Sequence, residues 1–407
     1  SALICLVDLQ RRQFKSLGVL GDWEHPYLTI DPGYEVSIIE VFEDLWRNGH
    51  VQRRRKPIHW CIQDRTALAE AELEYKSLPS PSIYLAFELL PDAAARLGAK
   101  AGADLLVWTT TPWTLPADVA VAVHPGLEYA VVRLGGAKDG RLGVLAPQRL
   151  EECAKRFPIG EKVGAIAGKD LVGMRYKHPI DGHPCPVIPA AYVTVTDGTG
   201  LVHTAPGHGE EDYRSGIEHG LPVLSPVDDA GRFTAEAGPY AGVQVFDANP
   251  RIVEDLRRSG VLLADETFSH DYPCCWRCKS PVIFRATEQW FVAVDHANGR
   301  ARALEAVKGV TWVPAWGQPR IASMLAERPD WCVSRQRSWG VPIPAFYCEG
   351  CGAILMDAST FGAVKRLFAK SGANAWFTTE AGAILPPGTS CPTCRGIAFR
   401  KETDIFD

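Results

Sequence analysis

The sequence predicts an α/β chain with a mainly β domain set into its middle and a cysteine-rich insert towards its far end. Three observations predict it. The flanks read as helices alternating with apolar strands. Between about residues 76 and 265 the texture changes to short apolar runs separated by turn residues. Two Cys-x-x-Cys pairs, Cys348 with Cys351 and Cys391 with Cys394, mark the stretch from about 346 to 396.

The chain has 407 residues, more than one ordinary core holds, so two or three domains are expected. Hydrophobic residues make up 46% and charged residues 22%, a globular composition without a disorder signature. The net charge of −5 gives no global basic signal for nucleic acid. Arg53-Arg54-Arg55-Lys56 is the densest basic run and reads as a solvated loop. No apolar run is long enough to cross a membrane, so no membrane partner is expected. Of the 12 cysteines, seven fall in Cys-x-x-Cys pairs or beside one, which favours metal ligands in a reducing compartment and a cytoplasmic setting. The chain opens at Ser1 without a methionine and stops at Asp407 without a terminal signal, and reads as a piece of a longer protein.

The elements follow in order. Leu3 to Phe14 patterns as a helix. Pro32-Gly33 marks a turn, and from Val36 the apolar positions Ile39, Phe42, Leu45 and Trp46 recur at helical spacing until Asn48-Gly49. In the middle, Ser82–Phe87, Tyr129–Leu134, Tyr192–Val195 and Gly242–Phe246 read as strands. Asp-Gly at 139–140, 181–182 and 197–198 and Pro-Gly at 125–126 supply hairpin turns. Helices are expected near Gln148–Arg156 and Pro250–Gly260. The second ends on Arg257-Arg258-Ser259-Gly260, cations and a glycine where a helix C-terminus favours them. Beyond residue 266 the α/β texture returns, with Trp331–Ser334 a buried strand running into a basic loop, Arg335-Gln336-Arg337.

Two polar stretches are candidates for chemistry. Trp108-Thr109-Thr110-Thr111-Pro112-Trp113-Thr114-Leu115-Pro116-Ala117 follows an apolar strand and concentrates hydroxyls that can hold a small polar ligand. Gly198 to Tyr213 forms a second loop with His203, His208 and Asp212. The plainer readings stand beside these: a threonine run is also a strand surface, Asp212 an exposed loop carboxylate, His208 a turn histidine. Cys348, Cys351, Cys391 and Cys394 make a four-thiolate set suited to a closed, tetrahedral Zn²⁺ site, although 39 residues separate the pairs. Cys275 and Cys278, beside Cys274, form a third pair. Cys61-Ile62-Gln63-Asp64 offers a half-site that spacing alone cannot join to it.

The polar runs, together with Gly18–Trp23, Lys56–Trp60, Ala67–Glu72, Tyr272–Arg277, Phe284–Thr287 and Ser334–Gly340, resemble the isoleucyl-tRNA synthetases, which are class I aminoacyl-tRNA synthetases. The valyl and leucyl enzymes carry arginine where this chain has Thr111. The resemblance implies a Rossmann-type catalytic domain split by a β-barrel-like editing (CP1) domain, with a zinc-ribbon-like insert. The expected division is 1–75 and 266–407 for parts of the catalytic domain and 76–265 for the editing domain. The parent enzyme attaches isoleucine to tRNA(Ile) with ATP and Mg²⁺ and is monomeric. The HIGH and KMSKS motifs of ATP binding do not occur in this sequence, so it is expected not to form an adenylate by itself.

The same resemblance assigns roles. Trp108, Thr109, Thr110 and Thr111 become the wall and polar floor of a pocket that admits valine. Asp212 holds the α-ammonium of the misattached amino acid, and His203 limits pocket size against isoleucine. Asp118 stands where many relatives carry asparagine. Trp290 resembles a wall of the synthetic isoleucine pocket, and is otherwise an ordinary core tryptophan. Cys61 and Asp64 join Cys275 and Cys278 in a second zinc site, with Asp64 where relatives have cysteine. Hydrolysis of valyl-tRNA(Ile) by directly attacking water is the expected activity. The competing reading is a zinc-stapled segment that docks tRNA and has no activity apart from its parent.

Overall fold

A computed structural model describes residues 2–407, with the side chains of residues 2–4 and 137 left aside, so Ser1 lies outside the described residues. The chain forms two compact units, Gln52–Gln336 and the residues up to Val51 together with Arg337–Asp407. It is a mixed α/β protein with several sheets.

The larger unit is built on strands β1 (Val51–Cys61), β2 (Thr66–Leu68), β3 (Leu73–Glu88), β4 (Ala103–Thr109), β5 (Ala120–Val123), β6 (Glu128–Leu134) and β7 (Leu142–Leu145). It continues with β8 (Ile159–Ala167), β9 (Arg175–Lys177), β10 (Pro184–Pro189), β11 (Val202–Thr204), β12 (Leu262–Cys275), β13 (Ile283–Val292) and β14 (Trp331–Cys332). A six-stranded sheet runs β12-β3-β4-β7-β6-β8, and four-stranded sheets run β11-β5-β10-β9 and β14-β13-β1-β2. β4 and β6 are buried on both faces, and consecutive residues Leu105, Leu106 and Val107 and Tyr129, Ala130 and Val131 lie in the core that these sheets share with helix Val245–Arg258.

The longest pairing is β3 with β12, antiparallel from Leu85 opposite Leu262 to Leu73 opposite Cys275. This ribbon carries the chain from the six-stranded sheet down to the cluster of Cys61, Leu68, Cys275 and Val282. β5 is the strand that positions the site. It pairs antiparallel with β11, with His203 opposite Val121, and parallel with β10, with Val187 opposite Val121.

Inside this unit Asp104 is fully buried on β4 and is held by Arg141, whose Nε and Nη2 donate to its two oxygens at 2.7 and 2.9 Å. Lys138 adds a second cation at 3.7 Å.

In the smaller unit, helix Pro32–Arg47 begins on Asp31, whose carboxylate accepts the Gly33 N–H at 2.8 Å. Pro32 and Gly33 therefore lie in the first helical turn, where a missing N–H costs nothing, and not in a turn before it. The helix packs on helix Ala358–Ser371 through Phe42, Trp46 and Phe361, with ring centroids 6.3 and 5.5 Å apart. Strands Phe346–Cys348, Ile354–Leu355 and Phe399–Lys401 make a small sheet beside Cys351, Cys391 and Cys394.

Several local expectations are corrected. Tyr192–Val195 is irregular rather than a strand. Gly242–Phe246 contributes one bridge residue, Gln244, and then starts helix Val245–Arg258, so that helix begins before Pro250. Gln244 caps it by accepting the N–H of Phe246 at 2.8 Å, a cap that is easily missed because Gln is not a usual N-cap residue. Trp331–Ser334 is interrupted, and Trp331 is 46% exposed. Arg335 lies in a short strand, Ser334–Arg335, and not in a basic loop, and it is buried against Glu72 at 3.2 Å. The run Arg53–Lys56 belongs to β1 and is not a loop.

Candidate functional site

The site grows from the end of β4. After Thr109 the chain enters a short 3-10 turn, Pro112–Ala117, and then β5. Pro112 and Pro116 fix φ through this turn. Thr111 donates its backbone N–H to Thr109 Oγ1 at 3.1 Å, and the two hydroxyls lie 3.2 Å apart. Thr114 donates its hydroxyl to the Thr111 carbonyl at 2.9 Å. Thr110 is not part of this local network, and with Thr111 and Trp113 it faces a cavity of about 910 Å³. The other walls come from the β3–β12 ribbon, with Ser80, Thr267 and Tyr272, and from the helix, with Phe246, Asn249 and Arg257.

The β5–β11 register brings the second stretch beneath the turn. His203 Nε2 lies 2.9 Å from Thr114 Oγ1, and its Nδ1 lies 3.2 Å from Asp118 Oδ1. Asp118 is completely buried and accepts a short hydrogen bond from the Tyr176 hydroxyl through its other oxygen. A continuous chain thus runs Thr111, Thr114, His203, Asp118, Tyr176. Burial pulls the His203 pKa down, but the Asp118 hydrogen bond and charge, with Asp212 behind them, leave it above the ordinary histidine value. The Asp118 carboxylate accepts, so His203 Nδ1 carries a proton and donates to it.

Asp212 sits in the first turn of helix Glu210–Glu218, not in an exposed loop. Its Oδ2 accepts the Ala205 N–H at 2.8 Å, folding the helix start against the end of β11. Desolvation raises its pKa, and His203 partly offsets this. Its second oxygen is free of any such backbone bond, in a place where a cation is favoured. His208 is also buried and not a simple turn residue. Its Nδ1 lies 2.9 Å from the Phe284 carbonyl, its ring meets Trp113 edge-on, and burial drops its pKa to about 4.

Trp108 joins the two stretches. Its indole donates to Ser82 Oγ at 2.9 Å, and its ring covers Gly198. Gly198 has φ of 62°, and a Cβ there would meet the indole at 2.6 Å. Trp290 is not brought to this place: it lies buried in β13, its backbone N–H donating to Ser334 Oγ at 3.0 Å. His203, Asp212 and Trp108 do not line the 910 Å³ cavity, which reaches the network through Thr111. Sequence reasoning missed Thr114 and Tyr176. Thr114 was legible as the i+3 partner of Thr111 in a Pro-flanked turn. Tyr176 arrives through the β9–β10 pairing and left no local signal.

Two cysteine clusters are assembled. Cys348, Cys351, Cys391 and Cys394 converge, with Cys348 Sγ 3.4 Å from Cys394 Sγ and Cys351 Sγ 3.6 Å from Cys391 Sγ. Four thiolates around a tetrahedral Zn²⁺ stand about 3.8 Å apart, so the spacing fits to within a few tenths of an ångström. In each arm the backbone turns back on itself: Gly352 N–H donates to the Cys348 carbonyl at 2.8 Å and Arg395 N–H to the Cys391 carbonyl at 2.9 Å. Gly352 and Arg395 both take positive φ, 74° and 65°.

Cys61, Asp64, Cys275 and Cys278 form the second cluster. Cys61 Sγ and Cys278 Sγ are 3.5 Å apart, and Asp64 Oδ2 lies 3.4 Å from Cys275 Sγ. The residues following Asp64 and Cys278, Arg65 and Lys279, have φ of 53° and 62°. Asp64 therefore stands where the second cysteine stands in the other arms, followed as there by a residue of positive φ. Its carboxylate is an acceptable, harder ligand. Cys274 is buried beside this cluster but is not part of it.

No helix among the described residues is long and apolar enough to cross a membrane. Among known proteins, the isoleucine–tRNA ligase of Fervidobacterium pennivorans is 48% identical over 402 residues, which is 98% of this chain and 43% of that protein. That of Thermotoga maritima is 50% identical over 405 residues, again 98% and 43%. That of Carboxydothermus hydrogenoformans is 50% identical over 399 residues, 98% and 42%. The chain thus spans less than half the length of these relatives. A solved chain described as "The crystal structure of GlLeuRS-CP1" aligns with 46% of this chain and 99% of its own length at 16% identity and a TM-score of 0.39, too low to carry a conclusion. The family described as "tRNA synthetases class I (I, L, M and V)" matches residues 4–407, and this chain belongs to it.

Proposed function

We propose that this chain is part of an isoleucine–tRNA ligase and that its Thr109–Thr111, His203 and Asp212 site hydrolyses valine from mischarged tRNA(Ile). The observation that carries the reading is the unbroken chain from Thr111 through Thr114 and His203 to the buried Asp118, with Asp212 beside it. Identity of 48–50% to isoleucine–tRNA ligases supports the choice of amino acid.

The chemical need is clear. A pocket for isoleucine rejects valine by one methylene, worth roughly 10–200-fold, a general figure for which the isoleucyl enzymes are themselves the standard example. A second pocket, too small for isoleucine, completes the discrimination. In our reading Asp212 accepts from the α-ammonium through its free oxygen, a charge-assisted bond in a desolvated setting. His203, held by Asp118 and Thr114, is a positioning residue that limits the depth of the pocket. Thr110 and Thr111 orient the ester and water at the edge of the 910 Å³ cavity, which takes the terminal nucleoside. Water adds to the ester carbonyl carbon, the C–O bond to the ribose breaks, and the ribose oxygen leaves with a proton. The ester is already activated, so oriented water suffices without a covalent intermediate.

Residues 76–265 then work as the editing domain, and 1–75 with 266–407 as parts of a split Rossmann-type catalytic domain with a zinc-ribbon-like insert. Trp290 belongs to the synthetic pocket. ATP and Mg²⁺ serve the parent enzyme, a monomer that charges tRNA(Ile). Zn²⁺ held by Cys348, Cys351, Cys391 and Cys394, and a second by Cys61, Asp64, Cys275 and Cys278, would staple the fold and supply no reaction chemistry. Incubating the purified chain with valyl-tRNA(Ile) tests the proposal. Valine release lost in Asp212→Ala supports it. Equal, slow release by both proteins favours a zinc-stapled, tRNA-docking segment that works only within its parent.

A further inference from the structure

A third cluster lies outside both cysteine sets. His178, Asp181 and His183 place their ligand atoms within 4.8 Å of one another on the turn between β9 and β10. Asp181 Oδ1 is 2.8 Å from His178 Nδ1 and 2.5 Å from His183 Nδ1, and the two imidazoles stack at 4.5 Å.

The tautomer of His178 is set by its surroundings. Its Nε2 lies 3.1 Å from the Leu115 carbonyl, which can only accept, so Nε2 carries the proton. Nδ1 therefore presents a lone pair, which accepts two long hydrogen bonds from the N–H groups of Ile180 and Asp181 at 3.4 and 3.3 Å that an entering ion must displace. A histidine that donates one ring N–H to a backbone carbonyl and turns its other nitrogen to a carboxylate and a second imidazole has the arrangement of a metal ligand. His178 is buried and fixed, whereas Asp181 and His183 are exposed and able to adjust.

We propose that His178 Nδ1, Asp181 Oδ1 and His183 Nδ1 form a binding site for a divalent ion of the Zn²⁺ class, with solvent completing the coordination. Ligand atoms about 2.0–2.1 Å from a tetrahedral ion stand about 3.3 Å apart, so the exposed pair must open by roughly half an ångström to an ångström. His183 Nδ1 gives up its proton to solvent as the ion enters, so binding releases one proton. Cys185 lies 3.2 Å from the opposite nitrogen of His183, Nε2, and takes no part. Because His178 holds the Leu115 carbonyl, an ion here braces the turn that carries Thr114. The inference does not depend on the editing reading.

Equilibrium dialysis of the full chain against Zn²⁺, with bound metal counted, tests it. The wild type is expected to hold one equivalent more than Asp181→Asn and His183→Ala, both exposed positions that leave the core intact. Cys185→Ser is expected to keep that equivalent. Equal metal content in the wild type and the two ligand variants would overturn the site. Loss of the equivalent in Cys185→Ser would overturn this choice of ligand atoms.

Discussion

His203 Nδ1 and Asp118 Oδ1 lie 3.2 Å apart, both side chains buried, at the point where the threonine turn meets β11. Asp118 thereby does what a neutral asparagine cannot: its hydrogen bond and charge favour the protonated form of a buried histidine. The pKa of His203 is raised in the folded chain, so the stability this pair contributes is fully present below the unfolded value of about 6.5. It is lost as pH rises through the higher folded value. In Asp118→Asn this pH-dependent contribution should vanish and the His203 titration, followed by NMR, should move down. Asp118→Ala, which strands both His203 and Tyr176, should cost about 3–5 kcal/mol in denaturant unfolding.

Gly198 and Trp108 predict a local defect. Ala at 198 meets both a positive φ and the indole at 2.6 Å. Gly198→Ala should cost about 1–3 kcal/mol. It should also shift tryptophan fluorescence as the indole leaves Ser82. An unchanged spectrum and an unchanged midpoint would contradict the packing.

Arg141 neutralises Asp104, which has no exposure at all. Arg141→Ala should destabilise the larger unit by about 3–5 kcal/mol, towards the lower end because Lys138 remains at 3.7 Å. Replacing Asp104 and Arg141 together by apolar residues should recover much of that loss, read by the same unfolding curves.

The four-thiolate cluster should retain one Zn²⁺ that Cys391→Ser loses, as read by bound metal after dialysis against a mild chelator. At the second cluster, Asp64→Cys completes a knuckle whose backbone already has the right turn at Arg65. That change should slow zinc loss to the chelator, while Asp64→Ala should speed it. If Asp64→Ala retains metal as the wild type does, Asp64 is not a ligand.

Local signals were the legible ones. The threonine run, the Cys-x-x-Cys pairs and the helix from Val36 could be read because their partners lie within a few residues. The convergence of Cys61 with Cys275 could not, since it depends on the 13 register pairs of the β3–β12 ribbon. Tyr176 and Asp118 meet for the same kind of reason, through the pairing of β9, β10 and β5. Gly242–Phe246 misled because its alternation suits a strand, while Gln244 caps a helix with its side chain. Arg335 misled because a basic triplet after a strand suggests a loop, and only the fold supplies Glu72.

The central claim is selectivity for the smaller amino acid, and hydrolysis of valyl-tRNA(Ile) against isoleucyl-tRNA(Ile) measures it most directly. The wild-type chain should release valine and spare isoleucine, and His203→Ala should gain release of isoleucine while Asp212→Ala releases neither. A wild type that hydrolyses both esters at the same rate, with His203→Ala unchanged, would contradict the account.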